Sequence, residues 1–216
     1  LIMVNAVVLA GGKQKFGHYK SKAAVELNGK RCIDYVVDAL EDSRNIDKIL
    51  IVGDKYNLGK EIKGHKVVQE RKGFFQNAVT GYDHFELIIE DKEPLFYVFS
   101  DIPFVSPESI DDFIDRCDFN ADINIGLADI ERIKERFPGY KKRYPSQNFN
   151  GYGFRMCNCG LANVNNIIKE GKDKLFDRAY KARRFDEFMS FIRFLFLTSS
   201  YYAPAILKNF KSLDGI

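Results

Sequence analysis

Val7-Val8-Leu9-Ala10-Gly11-Gly12-Lys13, VVLAGGK, is an apolar run that stops at two glycines and a lysine. Residues 4–9 are β-rich, apolar and too few for a helix, so they predict a strand buried on both faces. ILIV at 49–52 is a second such run. Between the two, Ile33, Val36, Val37 and Leu40 recur at i, i+3, i+4 and i+7, one apolar stripe on a helix. Strand, helix and strand in that order form a β-α-β unit. The side chains vanish where the first strand would emerge. Glycine has no Cβ, so backbone N–H groups at Gly11 and Gly12 approach an anion closely, while Lys13, Lys15 and Lys22 offset its charge. A tight turn carrying solvated lysines accounts for the same residues, and the stretch alone leaves both readings open.

The alternation continues through a weak strand at 66–69, a helix at 76–89 and the strand LFYVF at 95–99, which predicts a mainly parallel sheet with helices on both faces. Ser106, Pro107 and Glu108 then give an N-cap, a proline at the first helical position and an acid in the first turn. Ile110, Phe113, Ile114 and Cys117 form that helix's buried stripe. Residues 121–127 alternate as a strand, and 129–137 read as a short helix closed by Pro138-Gly139.

Beyond about residue 161 helical segments at 164–169, 174–183, 185–197 and 203–210 follow one another without a strand. Residues 1–170 therefore read as an α/β domain and 171–216 as a helical extension packed on it or on a partner. FDEFMSFIRFLFL at 185–197 is apolar on nearly every face. Burial or a homodimer contact is expected there; the segment is too short to cross a bilayer, and membrane contact is not the expectation.

Composition narrows the function. The 33 basic and 30 acidic residues leave a net charge of +3, too mild and too dispersed for a nucleic-acid partner. Four cysteines without CxxC spacing, and no secretory or membrane-spanning run, fit a reduced cytoplasmic setting. Cys157 and Cys159, two apart on a strand, point the same way and lack a second ligand pair nearby in sequence. The dinucleotide fingerprint GxGxxG and the P-loop GxxxxGK[ST] both fail after Gly11-Gly12, which argues against a nicotinamide dehydrogenase and a P-loop kinase. His18, His65 and His84 are scattered and suggest no role.

LAGGKQKFG followed by SKAAVELNGKRCIDYVVDAL resembles the signature of the MobA-like nucleotidyltransferase superfamily, which includes molybdenum cofactor guanylyltransferases and methylerythritol cytidylyltransferases. FSDIPFVSPESIDDF resembles its second landmark, a strand ending in an acid and a helix opened by Ser-Pro-Glu. ERFPGYKKRY and FRMCNCGLANVNN resemble a less characterised branch in which a basic run precedes a strand carrying an asparagine. The likeness covers about residues 4–168. It implies a Rossmann-like sheet of the nucleotide-diphospho-sugar transferase type, with a nucleoside triphosphate and a small-molecule acceptor as ligands and Mg2+ as the divalent cation.

By the same resemblance Leu9, Ala10, Gly11, Gly12, Lys13, Lys22 and Asn77 bind the nucleotide, with Lys22 and Lys15 catalytic. Asp101 and Asn158 hold the metal. Independently of the resemblance, the basic run Lys141, Lys142 and Arg143 suits a second anionic substrate across from the nucleotide. Lys15 stands where relatives place an arginine beside Met-Gly, and it offers no bidentate fork.

Each of these positions also has a plainer explanation. Asp101 suits a turn or a helix start, Asn158 closes a turn, Gly73 and Asn77 shape a helix start, and the run from Lys141 to Arg143 makes a solvated face. Gln69 and Glu70 follow a strand where a base edge would lie. The expected reaction is transfer of a nucleoside monophosphate to a phosphorylated small molecule or cofactor precursor, releasing pyrophosphate. A non-catalytic nucleotide sensor or scaffold is the rival. A nucleotide-sugar-dependent glycosyltransferase fits less well, because Asp101-Ile102-Pro103 is not a DxD motif.

Overall fold

A computed structural model describes residues 2–12, 17–86, 93–139, 147–149 and 152–171. In chain order the elements are β1 (Val4–Ala10), a 3-10 turn (Lys22–Ala24), β2 (Glu26–Leu27), β3 (Lys30–Arg31), α1 (Cys32–Glu41), β4 (Ile46–Gly53), α2 (Lys55–Leu58), β5 (Glu61–Ile62), β6 (His65–Gln69) and α3 (Phe74–Glu86). They continue with β7 (Leu95–Phe99), α4 (Pro107–Asp115), β8 (Ile123–Asp129), α5 (Ile130–Arg136), β9 (Gln147–Phe149), β10 (Tyr152–Ala162) and α6 (Val164–Lys169). The chain divides into two units, Leu1–Lys172 and Asp173–Ile216. The second, with the expected helices at 174–183, 185–197 and 203–210, lies outside the described residues.

The main sheet runs β5-β6-β4-β1-β7-β10-β8, with β9 on β10. Its centre is parallel: β1 pairs with β4 on one side and β7 on the other, and β4 pairs with β6. Strands β10, β8 and β5 add antiparallel margins. Central strands buried on both faces must be apolar throughout, and every residue of β1 is buried. Val4, Ala6, Val8 and Ala10 share a core with Ile33, Val36, Val37 and Leu40 of α1 and with Ile110 and Ile114 of α4. The expected stripe of α1 is thus the buried one, and Phe113 of α4 and Cys117, two residues past its end, pack half-buried against that core.

Helix α3 covers the opposite face. An added Cβ on Gly81 would lie 2.7 Å from Val7 Cγ1, so a glycine lets this helix sit directly on β1. Tyr97 Oη, on the same face, donates to Ala78 O at 3.2 Å. The α4 entrance follows the sequence signal, with a reciprocal capping box between Ser106 and Ser109 and Pro107 at the first position. No helix among the described residues is long and apolar enough to cross a membrane.

The connections decide where a ligand can sit. From β1 the chain passes through α1 to β4 on one side, whereas from β6 it returns through α3 to β7 on the other. The strand order therefore reverses between β1 and β7. In open α/β sheets the crevice outside the carboxyl ends at such a reversal is the binding position.

Candidate functional site

Two loops leave the sheet at that reversal. Leu9 of β1 lies level with Phe99 of β7, and the Ser100 N–H donates to Leu9 O at 3.2 Å. Gly11-Gly12 and Asp101 therefore emerge side by side at the same sheet edge. Lys22 closes the group from a third direction, its Nζ 3.2 Å from Asp101 Oδ2. It heads the 3-10 turn, in which Val25 N–H donates to Lys22 O at 3.2 Å. Of this pair the lysine side chain is 48% exposed and the aspartate 30%, so both remain accessible to a ligand. Helix α1 begins close by. Burial, and secondarily the negative charge of Asp101, push the Cys32 thiol above its ordinary value.

The glycine turn is lined by two side chains from the β6–α3 connection. Gly12 N–H donates to Glu70 Oε2 at 2.8 Å. A Cβ on Gly11 would fall 2.3 Å from that oxygen and 2.7 Å from Asn77 Nδ2, so a side chain there would have to displace both. Gly12 has φ +117°, a backbone region that favours glycine. Asn77 is buried. Its Oδ1 accepts from Arg71 N–H at 2.7 Å, which leaves the amide nitrogen facing the turn. Gln69 is directed elsewhere, its Oε1 accepting from Lys55 N–H at 3.2 Å. Of the last residue of β6 and the one that follows it, Glu70 is the one brought to the glycines.

Asn158 lies on β10, half-buried, one residue before Cys159, which pairs with Val98 of β7. It thus stands level with the end of the strand from which Asp101 follows. Leu9 and Ala10 are buried strand residues that anchor the turn through their backbone. Phe74, at the start of α3, stacks on Phe99 with ring centroids 5.5 Å apart, an aromatic pair beside the crevice that the apolar pattern did not single out. Lys13, Lys15, Lys142 and Arg143 lie outside the described residues.

The donor set at Asp101 has the chemistry of a hard, oxygen-preferring cation. An ammonium already sits on its carboxylate, and no group of three His, Cys, Asp or Glu side chains among the described residues is arranged to enclose a metal. Mg2+ is commonly held by one or two carboxylates with substrate phosphates and waters, so Asp101 fits it, whereas a closed zinc site needs about four protein ligands. The thiols are shifted too: burial pushes Cys117 up to about 11 and Cys159 up to about 12. Both are protonated at neutral pH.

Known proteins resemble this chain in sequence and in fold. A probable molybdenum cofactor guanylyltransferase of Thermococcus gammatolerans is 32% identical over 110 residues, 50% of this chain and 53% of that protein. A 2-C-methyl-D-erythritol 4-phosphate cytidylyltransferase of Clostridium perfringens is 31% identical over 102 residues, 40% of this chain and 44% of that protein. The chain thus spans about half the length of the curated relatives it matches. A hypothetical transferase from Thermus thermophilus superposes with a TM-score of 0.69 at 22% identity, covering 91% of this chain and 78% of that one. A 4-diphosphocytidyl-2C-methyl-D-erythritol synthase from Anaerococcus prevotii superposes with a TM-score of 0.54 at 14% identity, covering 81% and 75%. At those identities the solved structures speak to the fold alone, a Rossmann-like α/β sheet. The profile of the MobA-like NTP transferase domain matches residues 6–134, more than half of the 216, and the chain belongs to that family.

Proposed function

We propose that the protein is a Mg2+-dependent nucleotidyltransferase that moves a nucleoside monophosphate from its triphosphate to a phosphorylated small molecule, with release of pyrophosphate. The observation that carries this reading is the convergence of Gly11-Gly12, Lys22 and Asp101 at the carboxyl ends of two adjacent parallel strands. The relatives named as guanylyl- and cytidylyltransferases support it.

The residues divide the work by charge. The Gly11 amide, the Gly12 amide once Glu70 releases it, and the Lys22 ammonium stabilise negative charge growing on the transferring phosphoryl group, where positioned donors have their largest effect. Asp101 holds the cation, with Asn158 as its proposed second contact. When bound, Mg2+ neutralises phosphate charge and orients the triphosphate. An acceptor that is itself a phosphate needs no general base. Lys142 and Arg143 are its proposed contacts.

Glu70 extends the reading to the base. An ionised carboxylate only accepts hydrogen bonds, so beside the glycine turn it suits a base edge that offers N–H donors. Guanine, with two adjacent donors, satisfies it best, and the carbonyl-rich edge of uracil satisfies it least.

The test is a thermal-shift screen with ATP, CTP, GTP and UTP in the presence of Mg2+, followed by a pyrophosphate-release assay on acceptors. A ligand that binds only the folded protein at 100 times its Kd stabilises by about 2.7 kcal/mol. Asp101→Ala should lower turnover by about 100-fold or more, on the scale of removing one charge-stabilising group. Its cost to stability should stay within about 1 kcal/mol, because the ion pair is exposed. No shift with any triphosphate and no pyrophosphate from any acceptor would remove the proposal.

A further inference from the structure

Lys22 and Asp101 are assigned to different ligands, yet in the protein alone they are spent on each other. Lys22 is given to the triphosphate and Asp101 to the cation, while the Lys22 ammonium sits 3.2 Å from Asp101 Oδ2. The partners are 79 residues apart in sequence and belong to separate loops, so the contact is made by the fold and not by local geometry. Neither residue can serve its ligand fully while the pair persists. An ammonium on Oδ2 repels a second cation, and a lysine drawn to a carboxylate turns its charge away from phosphates.

We propose that Lys22 is the internal placeholder for the cation, and that the pair couples cation binding to triphosphate binding in addition to any direct contact between the two. Whichever ligand arrives first breaks the pair, and the second finds its residue already released. By linkage the gain is reciprocal: a cation on Asp101 frees Lys22 for phosphate by the same factor as phosphate on Lys22 frees Asp101 for the cation. The inference rests on the nucleotidyltransferase reading. Its size follows from the exposure of the pair. Exposed ion pairs are worth up to about fivefold in an equilibrium constant, and this pair, exposed to only 48% and 30%, is expected at the upper end, about threefold to fivefold.

The experiment uses the full chain without nucleotide base or turnover. Inorganic tripolyphosphate is titrated calorimetrically in EDTA against wild type, Asp101→Asn, Lys22→Met and the double variant. Asp101→Asn should tighten metal-free tripolyphosphate about threefold to fivefold, and the gain should be absent when Lys22 is already methionine. An equal gain in both backgrounds means that only long-range repulsion was relieved, and overturns the proposal, as does no gain at all. A second arm titrates Mn2+ by electron paramagnetic resonance with no phosphate present. There Lys22→Met should bind Mn2+ about threefold to fivefold more tightly than wild type, and unchanged affinity overturns the proposal from the metal side. Circular dichroism confirms that each variant is folded. If wild type with Mg2+ binds none of the four triphosphates, the functional reading itself fails; if it binds them and the cycle shows no coupling, only the placeholder role fails.

Discussion

The place where a Gly11 side chain would begin is held by Glu70, whose Oε2 is 2.3 Å from a Cβ built there. The side-chain-free exit of β1 therefore serves two purposes: it opens backbone N–H groups, and it admits a carboxylate from the β6–α3 connection.

Gly11→Ala should consequently act on binding more than on folding. The added methyl must displace both Glu70 Oε2 and Asn77 Nδ2, 2.3 and 2.7 Å away. Gly11 is exposed and Glu70 half-buried, so the flexible carboxylate can swing toward solvent, and only the buried Asn77 amide has to shift within the fold. Nucleotide affinity should fall about tenfold, the equivalent of about 1.4 kcal/mol, with Tm within a few degrees of wild type. Calorimetric titration beside a melting curve decides it; wild-type affinity would show that the turn takes no part in binding.

Glu70→Gln should change which base is preferred. The amide keeps one acceptor and adds donors at almost constant shape, so discrimination against UTP should shrink by about tenfold, within the range of one well-placed polar contact. Competition among the four triphosphates measures the ratio. If the order of the bases is unmoved, Glu70 does not face the base.

Gly81→Ala tests the seat of α3 on β1. Alanine is favoured over glycine within a helix by about 1 kcal/mol. Against this, the new methyl meets Val7 Cγ1 and Cγ2 at 2.7 and 2.8 Å, and Val7 is completely buried. Overpacking a core costs about 1–3 kcal/mol, so packing prevails and Tm should fall by several degrees. A rise in Tm would mean that the helix can lift from the sheet at no cost.

The thiols supply a pH-dependent test. Burial, reinforced by Cys157 and Cys117, pushes Cys159 up from 9.0 to about 12, and burial alone pushes Cys117 up to about 11. The thiolate is the reactive species, so at pH 8 Cys159 should alkylate ~1000-fold more slowly than in the urea-unfolded chain, with Cys117 about 100-fold slower. Both rates should climb as pH rises toward those values. Mass-spectrometric mapping of iodoacetamide adducts reads each position, and equal rates in folded and unfolded chains would contradict the burial.

Much of the fold is legible in the sequence because parallel strands covered on both faces leave no room for polar residues. LFYVF and its 95–99 boundaries coincide with β7, and the alternation at 121–127 is displaced only slightly from β8. The β2–β3 hairpin is different. Asn28-Gly29 at φ 51° and 77° is a strong turn signal, but the two-residue strands around it carry no periodicity of their own. Strand β10 mixes glycine, arginine, asparagine and cysteine, and its place beside β7 is set by pairing rather than by pattern. In the site, Gly11 and Asp101 are marked by their positions just beyond strands, whereas Lys22 is marked by the family resemblance. The approach of Glu70 to Gly12 spans 58 residues and depends on how α3 docks, a tertiary fact that no local window contains.

Strand β1 has a parallel neighbour on each side, and Ala6, Val7 and Val8 are wholly shielded from water. Amides in such a position trade hydrogen for deuterium only when the whole domain opens, whereas the Gly12 amide is tied to nothing firmer than an accessible carboxylate. A sharp change in backbone protection therefore falls between Ala10 and Gly12. Capture and release of a ligand can proceed there as a local event, leaving the layers beneath undisturbed.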